Sequence, residues 1–259
     1  VHRTFRHRTR YLLAEEDGRT VGVLPLGAIR SMFFGRSVVS VPFGVYGGIV
    51  SESDAATAAL VDGARQIAVE TGAAYVELRQ KHPAPGLDLP GTDLYCTFVR
   101  ELPGDPSACL EMLPRKARAE VRKALARPEV SVEVGATRLD EFYRLFAANK
   151  RKLGSPVFPK SLFLNLRDIF GPRMVSLTVR KNGQAVASVL SFLFRDTYMA
   201  YYSGAVDEAN EVSANNLMYH AAMKDAVERG FRRFDFGRSR RATGAFAFKK
   251  NQGFEPTPL

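Results

Sequence analysis

The stretch from Met174 to Glu255 constrains the fold most, because its turns and β-runs follow an order that few topologies allow. Two runs rich in aliphatic residues, Val175–Val179 and Ala185–Phe194, flank the dipeptide Asn182-Gly183. Asn-Gly favours a type I′ turn, in which both central residues need a positive φ. The pattern therefore predicts a β-hairpin.

A third strand, a helix and a fourth strand are predicted after this hairpin. Thr197–Ser203 is a tyrosine-rich β-run, and Ser213 is placed to cap a helix. The apolar residues of that helix, Ala214–Arg229, recur three to four apart. Gly230 predicts the end of the helix, and Phe231–Phe236 resumes as a strand. This order is typical of an α/β unit in which the last strand returns beside the earlier ones.

The first half of the chain repeats the same order. Asp17-Gly18 is another hairpin dipeptide between two β-runs. Ala68–Gly72 matches Ala226–Gly230, and Val76–Leu78 then falls opposite Phe234–Phe236. Turn, helix end and strand recurring in one order indicate a duplicated domain.

The chain of 259 residues has room for two domains of ordinary size. We place their boundary near Asp105, which begins a predicted helix, so that residues 1–104 and 105–259 form one domain each. Both are predicted to be α/β domains with mixed sheets. Because the sequence opens on Val1, we interpret the chain as a trimmed fragment and expect the first domain to be truncated at its N-terminus.

Charge and composition restrict the partners. A net charge of +10 favours an anionic partner such as nucleic acid, a phosphate-bearing substrate or an anionic membrane surface. No apolar run approaches the roughly 20 residues that a membrane helix needs. Cys96, Cys109 and the four histidines lack metal-ligand spacing, which argues against a metal enzyme. The low number of cysteines is typical of proteins in the reducing cytoplasm, so we expect the protein to be cytoplasmic, with the inner face of the membrane as the alternative location.

A strongly basic helix is predicted over Leu113–Ala124. Arg115, Arg118 and Arg122 share about one face at three- and four-residue spacing, and guanidinium groups so placed can bind phosphates. The alternative is a solvated basic face with Val121 packed inward.

Two other segments carry candidate binding residues. A stiff proline-containing loop holds Phe158 and Lys160 after a helix end; such loops often shape a site, although helix termination is the commoner explanation. Gly237–Phe254 follows a strand directly, and its small residues allow a close approach of backbone to a ligand. A lysine there, such as Lys249, can stabilise a carbonyl oxygen as negative charge develops, or it can be an ordinary surface lysine.

Several segments together resemble one family, the FemAB-like branch of the GNAT-fold acyltransferases. The similarity is strongest to the FemAB-like proteins associated with the PEP-CTERM/exosortase exopolysaccharide system. It covers essentially the whole chain and rests on Pro114–Ala124, Leu153–Phe163, Ala187–Asp196, Ala214–Met223 and Phe234–Pro256. The resemblance implies two tandem GNAT-like domains, with the substrate groove mainly on the second. It also implies transfer of an acyl or aminoacyl group to an amine of a cell-envelope or exopolysaccharide precursor.

The resemblance further implies which residue lies at the reaction centre. In members that form peptidoglycan bridges, the donor is aminoacyl-tRNA, the acceptor is a lysine amine, and a Phe-Lys-x-x-aromatic-Gly motif places a lysine at the site. Phe248-Lys249 matches the start of that motif and Gly253 its end, whereas Gln252 replaces the aromatic residue. Lys249 is therefore the first catalytic candidate.

Tyr202 and Asp235 are the other two catalytic candidates. In the GNAT plan the strands that carry them are neighbours, and the acyl donor enters where these strands splay apart. We expect Tyr202 to return a proton to the leaving group, and Asp235 to orient the amine or to pair with Arg238. The predicted substrate-binding residues are Arg238, Ser239, Arg115, Arg118, Arg122, Phe158, Lys160 and Asn215.

The donor is left open between aminoacyl-tRNA and an acyl thioester on coenzyme A (CoA) or a carrier protein. GNAT acetyltransferases hold the CoA pyrophosphate with a glycine-rich turn, but the corresponding Asp207–Ala214 has no glycine and three acidic residues, which disfavours CoA. We expect no tightly bound cofactor and no metal. The expected partners are tRNA, a lipid-linked precursor or an acyl carrier, with peripheral contact to a membrane surface. A non-catalytic binder of polysaccharide or RNA is the alternative of another class.

Overall fold

The computed structural model describes residues 1–32, 35–135 and 138–259, and these form two compact units. The first unit is Val1–Asp93, together with Leu259, and the second is Leu94–Pro258. The division therefore comes earlier than the predicted boundary near Asp105. The reason is the strand Tyr95–Glu101, which is hydrogen-bonded to strands of the second unit and belongs to its sheet.

The first unit combines a five-stranded sheet with one long helix. Its elements are α1 His2–Phe5, β1 Arg8–Glu16, β2 Arg19–Ser31, β3 Gly35–Ser40, β4 Val50–Ser51, α2 Asp54–Thr71 and β5 Val76–Glu77. The strand order is β1-β2-β3-β5, with β4 paired to β2; β5 is parallel to β3, and β1, β3 and β4 are antiparallel to β2. Asp17 and Gly18 both have positive φ, 50° and 75°, which confirms the predicted hairpin turn.

Helix α2 is capped at both ends. The Ser53 hydroxyl accepts a hydrogen bond from the Ala56 N–H, and Gly72 ends the helix in the left-handed region with φ 61°. Its buried face, which includes Leu60 and Ile67, packs on the sheet to form the core of this unit.

The second unit contains an eight-stranded mixed sheet with helices on both faces. Its elements are β6 Tyr95–Glu101, α3 Arg115–Leu125, β7 Val130–Val134, α4 Leu139–Lys152, α5 Lys160–Phe170, β8 Met174–Lys181, β9 Gln184–Phe194, β10 Thr197–Ala205, α6 Glu208–Glu211, α7 Ala214–Glu228, β11 Arg233–Asp235, β12 Ser239–Arg240, α8 Gly244–Asn251 and β13 Pro256–Pro258. Short 3₁₀ helices lie at Pro106–Cys109 and Gly171–Arg173. The strand order is β12-β6-β11-β10-β9-β8-β7, with β13 paired to β6.

Two hydrophobic clusters lie on opposite faces of this sheet, because successive strand residues point to opposite sides. One cluster gathers residues of α3 and α7, including Val121 and Met218. The other is rich in aromatic residues of α4 and α5, including Phe142, Phe146 and Phe163. No helix in the part of the chain that the structure describes has the length and apolar character needed to span a bilayer.

Helix α7 begins and ends as predicted, but the predicted cap by Ser213 does not form. At its end, Gly230 N–H donates to Val227 O and Phe231 N–H to Ala226 O, both at 2.9 Å, which is the Schellman pattern. At its start, Ser213 stands in the capping position, but its hydroxyl donates to the Glu120 carboxylate of α3 instead of capping the helix. Helix α5 begins at Lys160, directly after Pro159.

Candidate active site

Strands β10 and β11 are adjacent and parallel, which confirms their predicted neighbourhood. Their pairing is short and ends at Met199 opposite Asp235. Beyond that point β10 runs on to Ala205, whereas the chain after β11 follows β6, since Phe236 N–H donates to Phe98 O at 2.9 Å. The two strands therefore separate, and the candidate site is built around this separation.

Lys249 reaches this region from α8. Thr243 caps this helix, and its hydroxyl accepts from Phe246 N–H at 3.3 Å. Lys249 Nζ donates to the main-chain oxygens of Gly237 at 2.9 Å and Arg238 at 3.2 Å. It also lies 5.4 Å and 5.7 Å from the ring centroids of Phe98 and Phe236, within cation–π range. Its ammonium group is thus fixed in a half-buried position.

Burial lowers the pKa of Lys249 to about 8, while the nearby Asp235 carboxylate acts in the opposite direction. An ammonium with that pKa is still mostly protonated at pH 7. It can therefore donate hydrogen bonds to an anion at neutral pH and becomes a neutral amine as the pH passes about 8.

Asp235, Arg238 and Ser239 surround the same turn. Asp235 is buried, and its Oδ1 accepts from Gly237 N–H at 2.7 Å, which shapes the turn that offers its oxygens to Lys249. The Arg238 guanidinium lies over the Tyr95 ring, 4.5 Å from its centroid. Ser239 is buried, and its Oγ has no hydrogen-bond partner among the described residues. The structure therefore brings four of the predicted site residues together.

Tyr202, which was predicted to act beside Lys249 and Asp235, is not among them. A β-bulge interrupts the β9–β10 register between Ala200 and Tyr202 and shifts the alternation of side chains by one residue. Tyr202 consequently joins the aromatic cluster on the opposite face, with its ring centroid 5.2 Å from that of Phe163. The next residue, Ser203, turns to the α7 face in its place.

Tyr219 of α7, in contrast, lies on the face of the sheet that carries Phe248 and α8. Its hydroxyl donates to Ser203 Oγ at 2.9 Å, and its ring centroid lies 4.5 Å from Phe236 and 5.6 Å from Phe248. Burial raises the pKa of this hydroxyl, so it stays protonated at neutral pH. Sequence reasoning missed Tyr219 because the bulge that brings Ser203 to face it has no sequence signal of its own.

The second half of the chain matches a known protein family. Residues 114–250, more than half of the 259-residue chain, match the model of the family described as acetyltransferase (GNAT) domain. The chain belongs to the acetyltransferase (GNAT) domain family. No curated protein sequence matches it.

Solved structures with this GNAT architecture match nearly the whole chain. The crystal structure of FemX is 17% identical, with 97% of this chain and 86% of FemX covered at a TM-score of 0.66. The C-terminal domain of a putative lysylphosphatidylglycerol synthetase from Agrobacterium fabrum is 15% identical, with coverages of 96% and 82% and a TM-score of 0.63. A tandem GNAT protein from the clavulanic acid biosynthesis pathway is 12% identical, with coverages of 97% and 80% and a TM-score of 0.61. At these identities the similarity is one of fold, and it confirms the predicted tandem GNAT architecture.

Gln252 gives this GNAT unit a buried polar contact where the related motif has an aromatic ring. Its side chain is 1% exposed, and its Nε2 donates to Asn216 Oδ1 of α7 at 3.3 Å. Its Oε1 has no hydrogen-bond partner within the described residues. The predicted binding residue Asn215 is half-buried in the first turn of α7, beside Asn216.

The basic helix α3 uses two of its three predicted arginines in local ion pairs. Arg118 bonds the Glu111 carboxylate and also donates to Leu113 O at 3.0 Å, and Arg122 donates to the same carboxylate at 3.1 Å. Arg115 is exposed, while Val121 on the opposite side of the helix is fully buried. Both predicted properties, a basic outer face and an apolar inner face, are present.

Phe158 and Lys160 lie on the side of the sheet that carries α4 and α5. Phe158 packs on the aromatic cluster, 6.2 Å from Tyr202 between ring centroids, and Tyr143 donates to its main-chain oxygen at 3.1 Å. Lys160 pairs with Asp140 at 2.5 Å. The predicted binding residues therefore divide between the two faces of the sheet, and those around Lys249 adjoin the separating strands.

Proposed function

We propose that this GNAT protein is a FemAB-like N-acyl or N-aminoacyl transferase with Lys249 at its reaction centre. The observation that carries the proposal is the half-buried ammonium of Lys249, fixed beside the separating strands β10 and β11 by two main-chain oxygens. An ammonium has three N–H donors. Two of them are used by Gly237 O and Arg238 O, so one remains for an oxygen of the substrate.

The remaining N–H group of Lys249 suits the chemistry of acyl transfer. The acceptor amine attacks the carbonyl carbon of the donor, and the carbonyl oxygen becomes an oxyanion in the tetrahedral intermediate. A fixed ammonium within about 3 Å of that oxygen stabilises the oxyanion more than the neutral carbonyl, which lowers the barrier. Asp235 acts as a positioning residue, because its hydrogen bond to Gly237 N–H holds the turn that holds Lys249.

We place this chemistry in the second unit. The duplication sets Val76–Leu78 opposite Phe234–Phe236, so Glu77 is the counterpart of Asp235. Glu77 accepts from Arg79 Nε at 2.8 Å, and in the described part of the first unit no helix follows β5 to bring a lysine to this position. The first unit therefore lacks the group on which the proposed mechanism depends.

The acceptor proposed here is an amine of a cell-envelope or exopolysaccharide precursor, and the location is the cytoplasm or the inner face of the membrane. The five segments that resemble FemAB-like proteins support this class, including the association with the PEP-CTERM/exosortase system. The fold shared with a putative lysylphosphatidylglycerol synthetase is consistent with an aminoacyl group as cargo. Genes encoding exopolysaccharide enzymes beside the gene for this chain would support the assignment.

The donor class is tested first. A ligand that binds only the folded state raises the melting temperature, so aminoacyl-tRNA, acyl-CoA and acyl-carrier protein are compared by thermal shift. A shift with aminoacyl-tRNA supports the proposal, and a shift with none of the three favours a non-catalytic binder of polysaccharide or RNA.

The reaction centre is tested with Lys249→Met in a single-turnover assay with the donor so found. Loss of one oxyanion contact is expected to lower the rate about a hundredfold while substrate binding is largely kept. Lys250→Met is the matched control, because Lys250 is the next residue of the same helix and is exposed. Equal rates for both variants, or a larger loss in Lys250→Met, would show that the centre is misplaced.

A further inference from the structure

Tyr219 spans the opening between β10 and β11. Its hydroxyl is bonded to Ser203, on the part of β10 that has left β11, at 2.9 Å. Its ring packs at 4.5 Å on Phe236, which continues β11, and at 5.6 Å on Phe248, which precedes Lys249. A linear group entering between the two strands would have to displace this ring.

Carboxylates line the N-terminal end of α7, at the start of the same opening. Ser213, in the capping position, donates to the Glu120 carboxylate, so a negative charge already faces this end of the helix. Asp207 and Glu211 of the preceding segment are paired with Lys152 and Lys181 respectively, which leaves these two lysines engaged. A diphosphate placed here would be repelled by the Glu120 carboxylate. Lys152 and Lys181 already pair with carboxylates and would not offset that repulsion.

We propose that Tyr219 and Glu120 are specificity determinants that exclude donors carrying a nucleotide diphosphate on a linear thioester arm. The proposal rests on the transferase function proposed above and names its donor class, an acyl or aminoacyl ester whose carrier remains outside the opening. A steric block together with an unfavourable charge rejects the wrong donor without requiring any extra contact with the right one.

The ester reaction balances without a further reactant. The acceptor nitrogen forms the new C–N bond, the ester C–O bond breaks, and the proton lost by the amine ends on the released hydroxyl group. Only the ester bond has to reach Lys249, so the carrier need not pass between Ser203 and Phe236.

The test measures CoA and acetyl-CoA binding by isothermal titration calorimetry at fixed ionic strength. The unsubstituted chain is expected to bind both ligands with a Kd above about 100 μM. The double variant Tyr219→Ala with Glu120→Gln is expected to bind them at least about tenfold more tightly than the unsubstituted chain. Tyr219→Leu, which keeps an apolar contact with Phe236 but cannot reach Ser203, is expected to bind more tightly than the unsubstituted chain and serves if the alanine variant does not fold. Tyr202→Ala, which removes a tyrosine from the opposite face, is the control and is expected to gain nothing.

Either of two results overturns the proposal: CoA binding by the unsubstituted chain tighter than about 100 μM, or folded Tyr219 variants that gain no affinity. These outcomes are separable from failure of the transferase function. If the unsubstituted chain uses acetyl-CoA and the Lys249→Met variant does not, the proposed exclusion of CoA donors is wrong, whereas the proposed reaction centre is supported. If no donor gives turnover that depends on Lys249, the function fails, and the binding comparison still decides the role of Tyr219.

Discussion

At the scale of single residues, Lys249 shows how much of the candidate site can be predicted from the sequence. The Phe-Lys pair and the retained Gly253 point to Lys249, and the structure places it against two main-chain oxygens and two aromatic rings. Nothing in the sequence indicates that this lysine is half-buried, because burial depends on Phe98 from a strand distant in sequence.

The lowered pKa of Lys249 predicts the pH dependence of turnover. Burial disfavours the charged form, so the ammonium persists below about pH 8 and is lost as the pH rises through that value. Because the oxyanion contact needs the ammonium, kcat is expected to fall with an apparent pKa near 8, well below the 10.5 of an ordinary lysine.

The measurement is a pH–rate profile of single-turnover rates between neutral pH and about pH 10. Lys249→Met is expected to lose this falling limb along with most of its rate, whereas Lys250→Met keeps it. A limb that persists in Lys249→Met would belong to another group and would contradict the role given to this lysine.

Tyr202 shows where residue-level prediction stops. Its strand is predicted correctly, but the side of the sheet on which it points depends on a bulge of one residue between Ala200 and Tyr202. A one-residue shift moves every later side chain of the strand to the other face. Sequence patterns of apolar and polar residues cannot resolve such a shift when neither face carries exposed residues, as in β10.

At the scale of elements, the close approach of α4 to β10 depends on Gly204. A Cβ at this position would lie 2.5 Å from the main-chain nitrogen and Cα of Phe146, too close for any non-bonded contact. Gly204→Ala is therefore expected to push α4 away and to lower the free energy of unfolding by about 1–3 kcal/mol or more.

Urea denaturation at equilibrium measures this loss. Gly104→Ala is the matched control, since a Cβ at Gly104 meets nothing within 4 Å, and it is expected to be close to neutral. Equal midpoints for the two variants would mean that α4 accommodates the methyl group and does not depend on this glycine.

The basic helix α3 carries a second prediction at this scale. Arg115 and Arg122 are exposed, whereas Arg118 also bonds main-chain oxygens and supports the local structure. Arg115→Gln with Arg122→Gln is expected to weaken binding of an anionic substrate and to reduce the salt slope by about 1 for each phosphate that is no longer neutralised.

Fluorescence anisotropy with labelled tRNA over a range of salt concentrations checks the slope. Glu111→Gln is the opposing variant, because it frees Arg118 and Arg122 from their shared carboxylate and is expected to strengthen binding. An unchanged slope in the double arginine variant would reduce this face of α3 to a solvated surface.

At the scale of the whole molecule, the sequence predicts the duplication but not the extent of each unit. Hairpin turns, helix ends and returning strands recur in both halves, and all are local signals. The unit to which strand Tyr95–Glu101 belongs depends on long-range contacts, because its partners Arg233, Ser239 and Pro256 come much later in the chain. Because this strand follows the first unit directly in the sequence, local signals predict it as the end of the first domain.

The last prediction follows from that strand. A chain of residues 94–258 is expected to fold alone, whereas one of residues 105–258 is not, because β6 lies inside the sheet and supplies the fully buried Cys96 and Phe98. Removing a buried phenylalanine side chain alone costs about 3–5 kcal/mol, comparable with the entire stability of many domains. The shorter chain would in addition leave β11 with an unpaired edge. Circular dichroism during heating distinguishes the two, with a cooperative transition expected only for the longer chain. A cooperative transition at the same temperature in both would show that the second unit begins at Asp105 after all.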